Sequence, residues 1–127
     1  MRLLIADDSS ALRERLAEMF SLVEGTEVVG EVQDAPAAIA AIDALRPDVV
    51  ILDIQMPGGS GIDVLREIKR EHPQTTVVML TNHPESQYRQ RCAELKADYF
   101  LSKSTDSKLL IEIVEQLAAA RGTTDEG

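Results

Sequence analysis

Val49-Val50-Ile51-Leu52-Asp53 is four apolar residues in a row closed by a carboxylate. Alternating apolar and polar residues would mark a strand with one wet face. An unbroken aliphatic run of this length fits a strand covered on both faces, as in parallel sheets. The same signature recurs in both directions along the chain. Leu3-Leu4-Ile5-Ala6 runs into Asp7-Asp8, Val77-Val78-Met79-Leu80 runs into Thr81, and Tyr99-Phe100-Leu101 is followed, after Ser102, by Lys103. Val28-Val29 is shorter and interrupted by Gly30 and Glu31 before Val32, which predicts an edge strand.

Between these runs the period changes to that of a helix. Leu12, Leu16, Phe20 and Val23 form one apolar stripe; Ile39, Ile42 and Leu45 form a second, and Ile62, Leu65 and Ile68 a third. Leu109, Leu110, Ile113, Val114 and Leu117 predict the face of a fifth helix. The fourth, from about Pro84 to Lys96, has only Tyr88, Cys92 and Leu95 among charged neighbours, so much of it should face water or a partner. Pro36, Pro57 and Pro84 sit near expected helix starts, Pro47 and Pro73 follow helix ends, and Ser60 with Asp63 matches a capping box. Strand and helix alternate five times, which predicts an α/β domain: a doubly wound, five-stranded parallel sheet with helices on both faces. The domain is expected over residues 1–121, with 122–127 as a flexible tail.

Composition narrows the chemistry. The chain has 127 residues, 44% of them apolar, enough for one domain with a real core. With 13 Lys and Arg against 22 Asp and Glu, the formal charge is −9, which opposes direct binding to a phosphate backbone. The single cysteine, Cys92, precludes an intramolecular disulfide, and no apolar run approaches membrane-spanning length, the longest being Ala37 to Ile42. A soluble, cytoplasmic protein is the expectation.

All strand C-termini of a parallel sheet lie on one edge, where ligands bind at the point of strand-order reversal. Asp7, Asp8, Asp53, Thr81 and Lys103 therefore converge on one rim. Carboxylates about 4 Å apart at an effective dielectric near 20 repel by on the order of 4 kcal/mol per pair. Lys103 supplies only one positive charge. A hard divalent cation completes such a cluster, and all-oxygen ligands favour magnesium or manganese over zinc. The rim reads as a magnesium-assisted phosphoryl site with one carboxylate as nucleophile. Asp8 could instead cap the first helix with Ser9 and Ser10. Gly58-Gly59-Ser60-Gly61 lacks the lysine of a phosphate loop and reads as a flexible turn into a helix.

Asp7-Asp8 after the first strand, Asp53-Ile54-Gln55-Met56-Pro57 with Gly61, then Thr81, and Lys103 with Phe100 three residues before it, together resemble the receiver domain of bacterial two-component response regulators. The resemblance covers essentially the whole chain. It implies a flavodoxin-like (βα)5 fold with strand order 2-1-3-4-5. By this resemblance Asp53 is the phosphoacceptor for a sensor histidine kinase or histidine phosphotransfer protein. Asp7, Asp8, Asp53 and the backbone carbonyl of Gln55 would hold magnesium, for which manganese may substitute. Thr81 and Lys103 would bind phosphoryl oxygens, and Thr81 with Phe100 would form the switch. Gln55, Asn82 and His83 occupy positions that tune phosphate lifetime. The fourth helix, fifth strand and fifth helix would present the output surface to a partner or effector domain, with a phosphorylation-dependent homodimer as one outcome. The only catalysis implied is the domain's own phosphorylation and slow autodephosphorylation. Two departures stand out: Asn82 replaces the small residue usual after Thr81, and Ser104 replaces the proline, often cis, usual after Lys103. Competing classes are a phosphorylation-independent interaction module on the same fold and a phosphohydrolase with an aspartyl intermediate, such as a haloacid dehalogenase. The latter requires a second Asp where this chain has Gln55.

Overall fold

The computed structural model describes residues 1–82 and 86–126, the side chains of 86, 87 and 122–126 excepted. The strands are β1 (Arg2–Ala6), β2 (Glu27–Val32), β3 (Val49–Asp53), β4 (Thr76–Thr81) and β5 (Tyr99–Ser102). The helices are α1 (Ser10–Ser21), α2 (Ala35–Leu45), α3 (Gly61–Glu71), α4 (Ser86–Glu94) and α5 (Ser107–Glu126). All sheet pairings are parallel in the order β2-β1-β3-β4-β5, the flavodoxin-like arrangement. The interrupted segment is indeed an edge strand, and its register with β1 shifts between Leu3 and Leu4.

Period-two geometry sorts the apolar runs into two layers. Leu4, Ala6, Val50, Leu52, Val77 and Met79 pack with buried residues of α2, α3 and α4. Leu3, Ile5, Val49, Ile51, Val78 and Leu80 pack with α1 and α5. Every residue of β3 is buried, because both its faces are covered.

Local chemistry sets most helix ends. Ser9 Oγ accepts from Leu12 N–H (3.2 Å), Asp34 Oδ1 from Ala37 N–H (2.8 Å), and Ser60 Oγ from Ile62 N–H (3.0 Å). Pro36 lies in the first turn of α2, where its missing N–H costs little. Arg46 ends α2 in a left-handed conformation before Pro47.

Several expectations are corrected. Ser9, not Asp8, caps α1. Asp63 does not complete a capping box but pairs with Arg66 at 3.1 Å. Pro57 belongs to a small antiparallel ribbon, Gln55–Met56 with Gly59–Ser60, and its carbonyl accepts from Ala35 N–H at 3.1 Å. Pro84 lies outside the described residues. On α5 the buried stripe is Leu110, Ile113, Val114 and Ala118; Leu109 is 45% exposed because it lies roughly 100° behind that face. The backbone of α5 is helical to Glu126, through most of the expected tail, since no proline stops a helix whose propagation adds a bond per residue. The Lys103–Ser104 peptide is trans.

Candidate functional site: an acidic cleft at the C-terminal edge of the sheet

Asp7 immediately follows β1, and its N–H donates to Val32 O (3.0 Å), extending the β1–β2 ladder by one residue. Its Oδ1 accepts from Ser9 N–H (2.9 Å), while the Arg13 guanidinium donates to its main-chain carbonyl (2.6 Å). Asp53 is the last residue of β3, and its Oδ1 accepts from Gln55 N–H at 3.3 Å. Lys103 follows β5 with its N–H donating to Thr81 O (2.8 Å). Each residue sits where a continuous apolar strand first emerges from its covering helices.

The side chains then meet. Lys103 Nζ lies 2.7 Å from Asp7 Oδ2 and 3.0 Å from Asp53 Oδ2, and all three side chains are nearly buried. Asp8 is exposed at the rim. Asp7, Asp8 and Asp53 each offer one oxygen, the three within 4.8 Å of one another. Three carboxylates against one ammonium leave −3 + 1 = −2 in the cluster. Asp7 Oδ2 is fully buried, with the Lys103 ammonium 2.7 Å away as its partner. One ammonium shared between two buried carboxylates, with a third at the rim, leaves an excess of negative charge that a further cation would suit.

Burial pushes the Asp53 carboxyl above its ordinary pKa; the hydrogen bond from Lys103 opposes this, and the Asp7 charge adds to it. For Lys103, burial acts downward, but the hydrogen bonds it donates to Asp7 and Asp53, with their negative charge, outweigh it, and its pKa is raised. The lysine stays charged, and the aspartate is held in a site that disfavours its charge.

A cleft of about 190 Å3 opens over the cluster, lined by Asp8, Asp53, Gln55, Thr81, Asn82 and Lys103. Asp53 and Thr81 form its buried floor, and Asp8, Gln55 and Asn82 its exposed rim. Phe100 stands apart from it, half-buried, with the Arg89 guanidinium 4.6 Å from its ring centroid. His83 lies outside the described residues. Among the described residues α4 buries only Cys92 fully, in keeping with its polar sequence. A larger cavity, about 400 Å3, lies at the opposite edge near Pro47, Thr75 and Leu117. Among its lining side chains, Arg121 pairs with Asp48 (3.1 Å) and His72 Nε2 lies 2.8 Å from Asp43 Oδ1.

Two residues of the site escaped the sequence reading. Arg13 looks like any charged residue on an amphipathic helix, indistinguishable in pattern from Arg15. In the sequence Ser9 reads only as a companion of Asp8, although Ser before a helical run is a capping signal.

The fold and rim define a doubly wound α/β domain with an acidic cleft at its switch point. The chain belongs to the family described as the response regulator receiver domain, which it matches over residues 3–115. It is 31% identical over 121 residues to the transcriptional regulatory protein YdfI of Bacillus subtilis, covering 95% of this chain and 55% of that protein. It is 35% identical over 125 residues to the transcriptional regulatory protein BtsR of Salmonella typhi, covering 98% and 51%. The chain thus spans about half the length of these relatives. Among solved structures, the receiver domain of the putative response regulator NarL from Mycobacterium tuberculosis superposes with a TM-score of 0.84 at 30% identity, covering 93% of this chain and 95% of that one. Among the described residues no helix is long and apolar enough to cross a membrane.

Proposed function

We propose that this receiver domain accepts a phosphoryl group on Asp53 from the phosphohistidine of a sensor histidine kinase or phosphotransfer protein. The observation that carries the reading is the gathering of three carboxylates around the single Lys103 ammonium, a cluster with two uncompensated negative charges. Its carboxylate oxygens, which the Gln55 main-chain carbonyl would join, suit magnesium, with manganese as a substitute. When bound by Asp7, Asp8, Asp53 and that carbonyl, the metal supplies the charge that neutralises phosphoryl oxygens during transfer.

The chain's own residues do the rest. An ionised Asp53 oxygen attacks phosphorus in line; the P–O bond forms as the P–N bond breaks, and the imidazole leaves with the electron pair. Lys103 turns from carboxylate to phosphoryl oxygen, and the Thr81 hydroxyl donates to another. Gln55, Asn82 and His83 govern the access of water, hence the slow loss of the phosphate. The phosphoaspartate biases a two-state equilibrium that Thr81 and Phe100 transmit to the face made by α4, β5 and α5. That face engages an output partner or effector domain, or a second copy of the chain. The transcriptional relatives support an effector beyond this domain, whose own limits we place at 1–121, acting in the cytoplasm. Binding to nucleic acid belongs to such an effector and not to this acidic domain.

Intact-protein mass spectrometry after incubation with a small-molecule phosphodonor and magnesium tests the assignment. A single phosphoryl increment is expected in the wild type and none in Asp53→Asn. A full increment surviving in Asp53→Asn overturns it.

A further inference from the structure

Arg13 ties together the two ends of the acidic turn. Its main-chain N–H donates to Ser9 O at 3.0 Å, and its guanidinium donates to the carbonyl of Asp7 at 2.6 Å. That carbonyl belongs to the peptide that joins Asp7 to Asp8, so the carboxylates on either side of it are aimed by its orientation. The side chain is 14% exposed, and Glu31 of β2 lies 3.6 Å from its Nε, which is buried and makes no hydrogen bond. One Nη therefore carries the directed bond, charge-assisted and short. With the Asp7 N–H committed to Val32 and its Oδ1 to Ser9, Oδ2 is left to face Lys103 within the cluster of carboxylates.

We infer that Arg13 is a positioning residue: it locks the Asp7–Asp8 peptide so that both carboxylates present oxygens to one cation. This rests on the magnesium-dependent reading above. A guanidinium on the backbone of a ligand residue acts as outer-shell partners do, and losing such a partner typically costs about 10–100-fold in metal affinity. A purely structural arginine would lower thermal stability and leave the metal affinity of the folded protein unchanged.

The test is calorimetric titration of the full chain with magnesium chloride, paired with melting curves in its absence. Arg13→Met keeps the length of the side chain and removes the donor; Arg13→Gln removes the charge and is too short to reach, and it serves the same comparison should Arg13→Met not fold. The expected result is a Kd raised about 10–100-fold in either folded variant, with the extent of phosphorylation restored at saturating magnesium. A variant that melts lower but binds magnesium with the wild-type Kd overturns the inference alone. A wild-type chain that binds no magnesium overturns the reading beneath it, and the inference with it.

Discussion

Gly61 lies directly against the main-chain carbonyl of Asp53, so close that a Cβ at position 61 would overlap that oxygen. Its N–H also donates to Ile54 O at 2.7 Å, which folds the chain back under the end of β3. The obstacle is backbone, and backbone does not yield as a side-chain tip would. Gly61→Ala is therefore expected to displace Asp53 and to cost roughly 1–3 kcal/mol or more of stability, as overpacking does. Gly30→Ala is the control, since its nearest neighbours are the movable Leu4 and Leu45 methyls at 3.1 and 3.2 Å. Urea denaturation of the two variants should show the larger loss at 61; an equal loss would remove the close approach as a cause.

Lys103 is the only cation in direct ion-pair contact with the buried carboxylates of Asp7 and Asp53 among the described residues. Lys103→Met leaves two nearly buried negative charges facing each other. Breaking a buried pair by removing one partner costs about 3–5 kcal/mol, and magnesium should recover part of it. Chemical denaturation at neutral pH with and without the metal measures both effects; a variant as stable as wild type without metal would contradict the electrostatic account.

Asp53 is disfavoured as an anion, first by burial, with the Asp7 charge adding to it. Its folded pKa lies above the unfolded one, so its contribution to stability is fully present below the unfolded value, near 3.8, and is lost as pH rises through the raised folded value. Without metal, Asp53→Asn should be more stable than wild type at neutral pH, the advantage shrinking toward acid. Magnesium should reverse the order, because ligand at ten times its Kd adds roughly 1.4 kcal/mol to the form that binds it. Melting temperatures across pH, in chelator and in magnesium, decide the matter; an advantage that grows on acidification would refute it.

Arg89 holds its guanidinium over the Phe100 ring on the exposed side of α4. An exposed cation–π contact contributes about 0.5–1 kcal/mol, so Arg89→Ala should shift any inward–outward equilibrium of Phe100 by roughly 2–5-fold. The chain has two phenylalanines, and Phe20 is fully buried in the other core layer. Fluorine NMR of fluorophenylalanine-labelled protein thus carries its own reference: the Phe100 resonance should move and the Phe20 resonance should not.

Much of this architecture was readable because burial on both faces writes itself into sequence as unbroken apolar runs. Val49–Leu52 and Val77–Leu80 needed no partner to be recognised, and the polar residues ending them met at one rim because parallel strands share an exit edge. The strand order came from resemblance, not from pattern. What stayed hidden depends on direction or on long-range contact. Leu109 has the composition of a core residue but points about 100° away from Leu110. The Gln55–Ser60 ribbon is too short to have a period. Arg13 acquires its role from a carbonyl six residues earlier, and nothing in its own neighbourhood announces that bond.

β3 contributes alternate side chains to both core layers and is hydrogen-bonded on both sides, to β1 and to β4. Neither layer can come apart alone and free its amides, so they should exchange with solvent only through global unfolding, whereas those of the edge strand β2 should exchange through smaller openings. The proposed phosphoacceptor is thus fastened to the slowest-opening segment of the molecule. Under the proposed function, chemistry at Asp53 would meet an anvil beneath it, and a displacement it caused would travel outward along the rim toward Thr81 and α4.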